Sequence, residues 1–340
     1  MRTHSNRRLV AGLSVCILVV AASCTGDDDD VAGAGSSNSA GASSTAGAST
    51  TTTPVRSGEL SMLTYNVAGL PQGLSGSNPQ EYMPLIGPKL NDYDLVVTQE
   101  DFATPDPNPL PLGFFHEVLV RTTGHEYKSA PMVPPVGSDP DRPSAIAGDG
   151  LNMFSDFEIG PVYRQAWEKC FGGADTSDGG AGDCLALKGF SVATVTLADG
   201  VVIDVYDVHG EAGGTPMDAE ASRSDYQELA EYILESSEGN AIILGGDTNL
   251  STDRSEGDAE VWDAFLEATG LEDICRAITC ATQPGSIDKF AYRSSAEITL
   301  EPLERVVETE KFLAPGTPDL NDGQLSDHEA ISSRWRWTAG

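Results

Sequence analysis

A chain of 340 residues with 52 acidic against 20 basic side chains carries a formal charge of −32, and its length alone favours neither one large domain nor two small ones. So acidic a balance repels polyanions and provides no basic groove, which argues against tight, salt-sensitive binding of nucleic acid. A metal-bridged contact with a single phosphate stays compatible with it.

At the N-terminus, Arg2, Arg7 and Arg8 precede an apolar stretch over 9–22. It is too short to span a bilayer as a mature helix and has the charge order of a secretory signal, so residues 1–23 are expected to be a signal peptide outside the fold. The stretch ends Ala21-Ala22-Ser23-Cys24. Small residues directly before a cysteine resemble the lipobox of bacterial lipoproteins, although that family usually has Leu where Ala21 stands. The resemblance implies that Cys24 is diacylated and anchors an exported protein to a membrane of the cell envelope; ordinary secretion with cleavage nearby is the alternative. Residues 24–57 are mainly Gly, Ala, Ser and Thr with an acidic run at 27–30. They cannot bury enough surface to fold and read as a flexible tether, the acidic run as solvated linker rather than a calcium site.

With Cys16 in the signal and Cys24 carrying lipid, Cys170, Cys184, Cys275 and Cys280 remain. An even remainder in an exported chain predicts two disulfides. Local pairing joins Cys170 to Cys184 and Cys275 to Cys280, one of the three pairings that four cysteines permit. A zinc site is disfavoured, because no spacing is C-x2-C and no histidine adjoins either pair.

Residues 58–340 show no second linker and no repeat, so one domain is expected. Strand signals occur at 60–66 and 95–100, each ending in a polar residue. Nine of the twenty prolines lie within 101–149, which predicts a long irregular excursion of the substrate-facing kind. The β-branched runs 190–197 and 201–208 are joined by Ala198-Asp199-Gly200, a hairpin turn, and His209 follows at a strand end. Asp218 is expected to cap a helix through 237, stopped by Gly239, before a strand at 241–245 delivers Asp247. A second helix is predicted over 258–269, ended by Gly270, and a last strand over 330–337. The pattern predicts an α/β or α+β sandwich.

Polar clusters sit directly after apolar strands: Tyr65-Asn66, Gln99-Glu100, Asp207-Val208-His209, Gly246-Asp247-Thr248-Asn249 and Ser326-Asp327-His328. Any one is an ordinary strand terminator, but their repetition is a signal. Hydrolysis of a phosphate ester needs an attacking water, a base, and positive charge on the phosphoryl and leaving oxygens. His328, beside Asp327, is the candidate base. Only five histidines occur and His4 is in the signal; for His116 and His125 a surface or local structural role is expected.

In this order the clusters resemble the endonuclease/exonuclease/phosphatase superfamily, which includes deoxyribonuclease I and the neutral sphingomyelinases. Thr64-Tyr65-Asn66-Val67, Gln99-Glu100, Gly246-Asp247-Thr248-Asn249 and 325–330 carry the resemblance. It implies a deoxyribonuclease I-like four-layer sandwich, two mixed β-sheets flanked by helices, and magnesium or another divalent cation held by Glu100 with Asn66 and Asp327. It further implies that Asp288, in Gly285-Ser286-Ile287-Asp288, orients His328, that His209 donates to a phosphoryl oxygen, and that Asp247 and Asn249 align nucleophile and phosphate. The family's further acid or tyrosine falls near Gly148-Asp149-Gly150, where Asp149 competes with a plain turn. Residues 183–190 and 208–213 look most like the sphingomyelinase-like branch. Lys188 and Arg223 are the cations near the motifs, a lone lysine being usually solvated and Arg223 more often an ion-pair partner than a ligand.

The expected protein is therefore a monomeric, exported phosphodiesterase acting on a lipid headgroup or related small phosphoester, with a membrane contact through its lipid anchor. A secreted endonuclease or phosphatase of the same superfamily and a non-catalytic surface binding protein are the alternatives.

Overall fold

The computed structural model describes residues 56–106, 108, 113–133, 142–175, 177, 179–314 and 323–340. The expected signal peptide, Cys24 and the tether up to residue 55 lie outside them.

Strand β1 (Arg56–Asn66) begins two residues before Gly58. Its alternation is buried on both faces: Leu60 and Met62 enter the core between the sheets, while Leu63 and Tyr65 enter a second core beneath helices. The first sheet has the order β12 (Ile298–Val307), β13 (Ile331–Ala339), β1, β2 (Leu95–Gln99), β4 (Asn152–Ser155), β3 (Tyr127–Lys128). The second runs β10 (Glu272–Asp273), β11 (Asp288–Arg293), β9 (Ile242–Asp247), β8 (Val201–His209), β7 (Gly189–Ala198), β5 (Glu158–Ile159), with β6 (Tyr163–Ala166) also paired to β7. In β8, Val201, Ile203 and Val205 face the first sheet, and Tyr206 and Val208 face away from it.

The outer faces are closed by helices. α1 (Pro79–Leu90) and α2 (His116–Thr122) cover the first sheet through Tyr82, Met83, Ile86 and Leu119. α3 (Pro216–Ser236) and α4 (Glu256–Thr269) cover the second through Tyr226, Leu229, Ile233, Trp262 and Phe265. Three apolar cores between four layers give the expected sandwich of two mixed sheets flanked by helices. Each fully buried side chain of this size contributes about 1.5–3 kcal/mol.

Local details differ from expectation. Thr215, not Asp218, caps α3. Its hydroxyl accepts from Asp218 N at 3.3 Å, and the Asp218 carboxylate accepts from Thr215 N at 2.7 Å, a reciprocal pair that satisfies two orphan donors. α4 starts at Glu256 behind a Ser255 cap and ends where Gly270 turns left-handed at φ 67°. The stretch 101–149 is not wholly irregular, since α2 and β3 lie in it. Both disulfides form with the local pairing, Cys170–Cys184 and Cys275–Cys280. A short α5 (Ile274–Ala277) carries Cys275. Among the described residues no helix is long and apolar enough to cross a membrane.

Candidate active site

Strand register brings the polar tips together. β1 and β2 are parallel with Asn66 opposite Gln99, so Asn66 and Glu100 leave the first sheet at one edge. β8 and β9 are parallel with His209 opposite Asp247, and antiparallel β11 starts at Asp288 opposite the same Asp247. The turn holding Asp327 and His328 precedes β13, whose Ile331 pairs with Thr64 of β1. Six chain segments thus converge where the two sheets meet.

Asn66 is the hub. Its Oδ1 accepts from Ala68 N at 3.0 Å, which turns the amide NH2 toward Glu100 Oε1 at 3.1 Å and Asp247 Oδ2 at 3.0 Å. The same Asp247 oxygen lies 3.6 Å from Nε2 of His209 and 3.6 Å from Nε2 of His328. His328 Nδ1 faces Asp288 Oδ2 at 3.0 Å. Asn249 donates its backbone N–H to Asp247 Oδ1 at 3.0 Å and its side-chain amide to Gly210 O at 3.0 Å. Ser326 ties the turn down, donating to Asn66 O at 2.7 Å and accepting from His328 N at 3.1 Å. The exposed Asp327 sits against Gly76, where a Cβ would fall 2.0 Å from Asp327 Oδ2, so any larger residue would displace that carboxylate. Beneath the site the buried Gln99 donates to Asp207 at 2.6 Å and to Thr64 at 3.2 Å. Glu100 and Asn249 have left-handed backbones, φ 54° and 52°.

Charge at the site is sharply divided. Burial pushes His209 well below the ordinary imidazole value, and the neighbouring Lys188 adds to the shift. Burial acts in the same sense on His328, but Asp288 and Asp247 outweigh it and raise its proton affinity well above the ordinary value. Burial would raise Asp247, yet His328, His209 and Lys188 together hold it below the usual carboxylate range. Glu100 is raised by burial, only partly offset by Lys188 and Asn66.

The set Asn66, Glu100 and Asp327 fits a hard divalent cation: all three offer oxygen, Asn66 Oδ1 has a lone pair beyond the one Ala68 uses, and the half-buried Glu100 is only partly neutralised by Lys188 and Asn66. Ligand atoms of Asp247, Asp288 and His328 also lie within 4.8 Å of one another. A cation there would compete with the His328–Asp288 hydrogen bond.

Other candidates fall outside this cluster. Asp149 is buried and paired with Arg164 at 2.6 Å, which makes it structural. Arg223 is exposed and donates to Ala219 O on its own helix, not to an acid. His116 and His125 are buried; His116 faces Asp101 at 2.8 Å and His125 faces Tyr93 O at 2.8 Å, local structural roles rather than surface ones. Lys188, for which a solvated position is the ordinary expectation, comes instead to the edge of the site. Largely buried, it pairs with Asp183 and lies near Glu100 and Asp247. The Lys188-Gly189 dipeptide is its signal, because a Cβ at Gly189 would meet Gln165 O at 1.9 Å where β6 pairs with β7.

No family model matches the sequence. Over 296 residues the chain is 32% identical to the proteins named sphingomyelinase of Mycobacterium tuberculosis and Mycobacterium bovis, a match covering 81% of this chain and 52% of theirs. The chain thus spans about half the length of these curated relatives. A mutant beta toxin from Staphylococcus aureus, solved with bound magnesium ions, superposes with a TM-score of 0.55 at 13% identity, covering 81% of this chain and 99% of that one. An endonuclease/exonuclease/phosphatase from Beutenbergia cavernae gives 0.55 at 14% identity, covering 82% and 71%. With this fold and this sequence match, the chain belongs to the endonuclease/exonuclease/phosphatase, deoxyribonuclease I-like superfamily, as a homologue of sphingomyelinases.

Proposed function

We propose that this protein is an exported, metal-dependent phosphodiesterase of the sphingomyelinase type, hydrolysing a lipid headgroup or related small phosphoester. The supporting observation is the pair of imidazoles, His209 and His328, each 3.6 Å from one oxygen of Asp247 that also accepts from Asn66. Homology to proteins named sphingomyelinase favours the lipid headgroup over other phosphoesters.

In this reading His328 takes the proton of the attacking water. Asp288 fixes the ring's orientation through Nδ1 and stabilises the imidazolium that forms. His209, kept neutral by burial, donates its remaining N–H to a phosphoryl oxygen. Asp247, held ionised, aligns the nucleophile between the two rings, and the Asn249 amide aligns the phosphate. Asn66, Glu100 and Asp327 would hold magnesium, which when bound supplies positive charge to the phosphoryl and leaving oxygens. Cys24 would carry the lipid that keeps a monomeric enzyme at the cell envelope.

Purified protein incubated with sphingomyelin, plasmid DNA and inositol phosphates in Mg²⁺, with EDTA controls, tests the reading. EDTA-sensitive release of the lipid headgroup supports it, and cleavage of DNA alone overturns the substrate. Retention of that activity by folded His328→Ala or Glu100→Ala overturns the mechanism.

A further inference from the structure

Beyond the end of β8 stands a second group of acids that the hydrolytic reading does not use. A cavity of about 270 Å³ opens between the loop after His209 and the N-termini of α3 and α4, lined by Glu211, Thr215, Asp218, Ser222, Asn249 and Asp258 among others. Three of these side chains are more than nine-tenths buried: Glu211 is 3% exposed, Asp218 2% and Ser222 8%. Each retains one oxygen with no hydrogen-bond partner among the described residues, Oε2 of Glu211, Oδ1 of Asp218 and Oγ of Ser222. The other carboxylate oxygens are taken, Glu211 Oε1 by Phe171 N and Asp218 Oδ2 by Thr215 N. Burying an unpaired oxygen is costly, so three of them around one cavity call for a common partner.

Charge decides what kind of partner fits. Glu211, Asp218 and Asp258 bring three carboxylates to the cavity against one guanidinium, that of exposed Arg223, which donates to Ala219 O on its own helix. The helix N-termini alone would favour an anion, but Asp218 N donates to Thr215 Oγ1 and Asp258 N to Ser255 Oγ, so caps already use those donors. Burial, then the charges of Asp183 and Asp218, pushes the Glu211 carboxyl up to about 8 against the opposing pull of Phe171 N–H and Lys188. A cation would relieve that repulsion.

We infer that Glu211, Asp218 and Ser222 form a second, non-catalytic site for a divalent cation of the calcium type. Carboxylate and hydroxyl oxygens suit Ca²⁺, which takes about six to eight oxygens in flexible geometry and completes its shell with water. The site does not depend on the phosphodiesterase reading. Its place in the fold gives it a structural role: Glu211 lies two residues after His209, and Asn249, anchored on Gly210 O at 3.0 Å, lines the same cavity. A bound ion would brace the segments carrying His209 and Asn249 against α3.

The test is a calorimetric titration with Ca²⁺ of the metal-stripped full chain carrying Glu100→Gln, which disables the cation site proposed for catalysis. One Ca²⁺ per chain is expected, with a Kd of about 10⁻³ M or tighter. Adding Glu211→Gln should weaken binding by about tenfold or more, Ser222→Ala by less, and Glu267→Gln, an exposed acid of α4, not at all. Ser222→Ala keeps a good helix former in α3 and so carries the test even where the Glu211 variant folds poorly. Ca²⁺ should also slow amide hydrogen exchange over 210–222 in the Glu100→Gln chain and not in Glu100→Gln/Glu211→Gln. No uptake of Ca²⁺, uptake that Glu211→Gln and Ser222→Ala leave unchanged, or slowing confined to other segments would overturn the site. None of these readouts requires an ester to be cleaved, so the site and the phosphodiesterase stand or fall separately.

Discussion

Nδ1 of His328 lies 3.0 Å from Oδ2 of Asp288, a contact that joins the turn before β13 in one sheet to the first residue of β11 in the other. The pair that would handle the proton therefore also pins the two sheets at the edge where the chemistry sits.

Replacing His328 with Ala is expected to lower kcat by about 10²–10⁴-fold, the range typical of a lost general base. The flanking carboxylates raise the proton affinity of His328 above its ordinary value of 6.5. The base form is then lost as pH falls through that raised value, so the acid limb of kcat/KM should lie above pH 6.5. Asp288→Asn removes one of the charges responsible and should move the limb to lower pH while reducing kcat. A pH–rate profile of both variants checks this, and an unmoved limb in Asp288→Asn would contradict the orienting role.

Chelation should abolish activity, and Mg²⁺ should restore it. Glu100→Gln keeps the shape of the side chain but removes the charge, and is expected to raise the Mg²⁺ concentration for half-maximal activity by about tenfold or more, a loss of at least ~1.4 kcal/mol of cation binding. A metal titration of wild type and variant at fixed substrate measures the shift.

Asp225 is fully buried, neither carboxylate oxygen has a hydrogen-bond partner among the described residues, and burial raises it to about 9, with Glu211, Glu228, Asp183 and Arg142 as its charged neighbours. Its folded value thus exceeds its unfolded one. Its contribution is fully present below about pH 4, where the carboxyl is protonated in both states, and is lost as pH rises toward about 9. Asp225→Asn should therefore leave stability nearly unchanged at pH 4 and raise it by about 3 kcal/mol or more at pH 8, because each tenfold difference in proton affinity between the folded and unfolded chain is worth ~1.4 kcal/mol. Urea unfolding at the two pH values reads the difference directly.

The Cys170–Cys184 bridge closes a loop with a sequence separation of 14 and holds Asp183 next to Lys188. Removing it as the Cys170→Ser/Cys184→Ser pair should cost about 3 kcal/mol of stability. It should also lower kcat/KM more than the Cys275/Cys280 pair does, because only the first loop reaches the site. Comparison of the two double variants by melting temperature and by rate separates the effects.

The strands that end in functional residues are legible in the sequence because each is an apolar run with an abrupt polar stop, and parallel pairing does the rest: Asn66 and Glu100, or His209 and Asp247, arrive together once their strands lie side by side. α1 is not legible, since Pro84 and Pro88 stand inside it and its apolar face is broken by them. α2 is only seven residues long and follows a run of prolines that reads as loop. Asp149 resembles a site acid because burial and partner choice are tertiary facts, and Arg164, from β6, claims it. Lys188 is hidden for the same reason: a lysine is usually solvated, and nothing near it in sequence shows that Glu100 and Asp247 come close from other strands.

Left-handed backbones at Glu100 and Asn249 have an evolutionary consequence. For Glu100 that conformation costs roughly 1–2 kcal/mol that glycine would avoid, whereas the short amide of Asn249 adopts it readily. Selection for heat resistance alone would drift position 100 toward glycine and yield a sturdier protein without that carboxylate. The carboxylate kept at position 100 is thus a local cost in stability that the proposed cation site would account for.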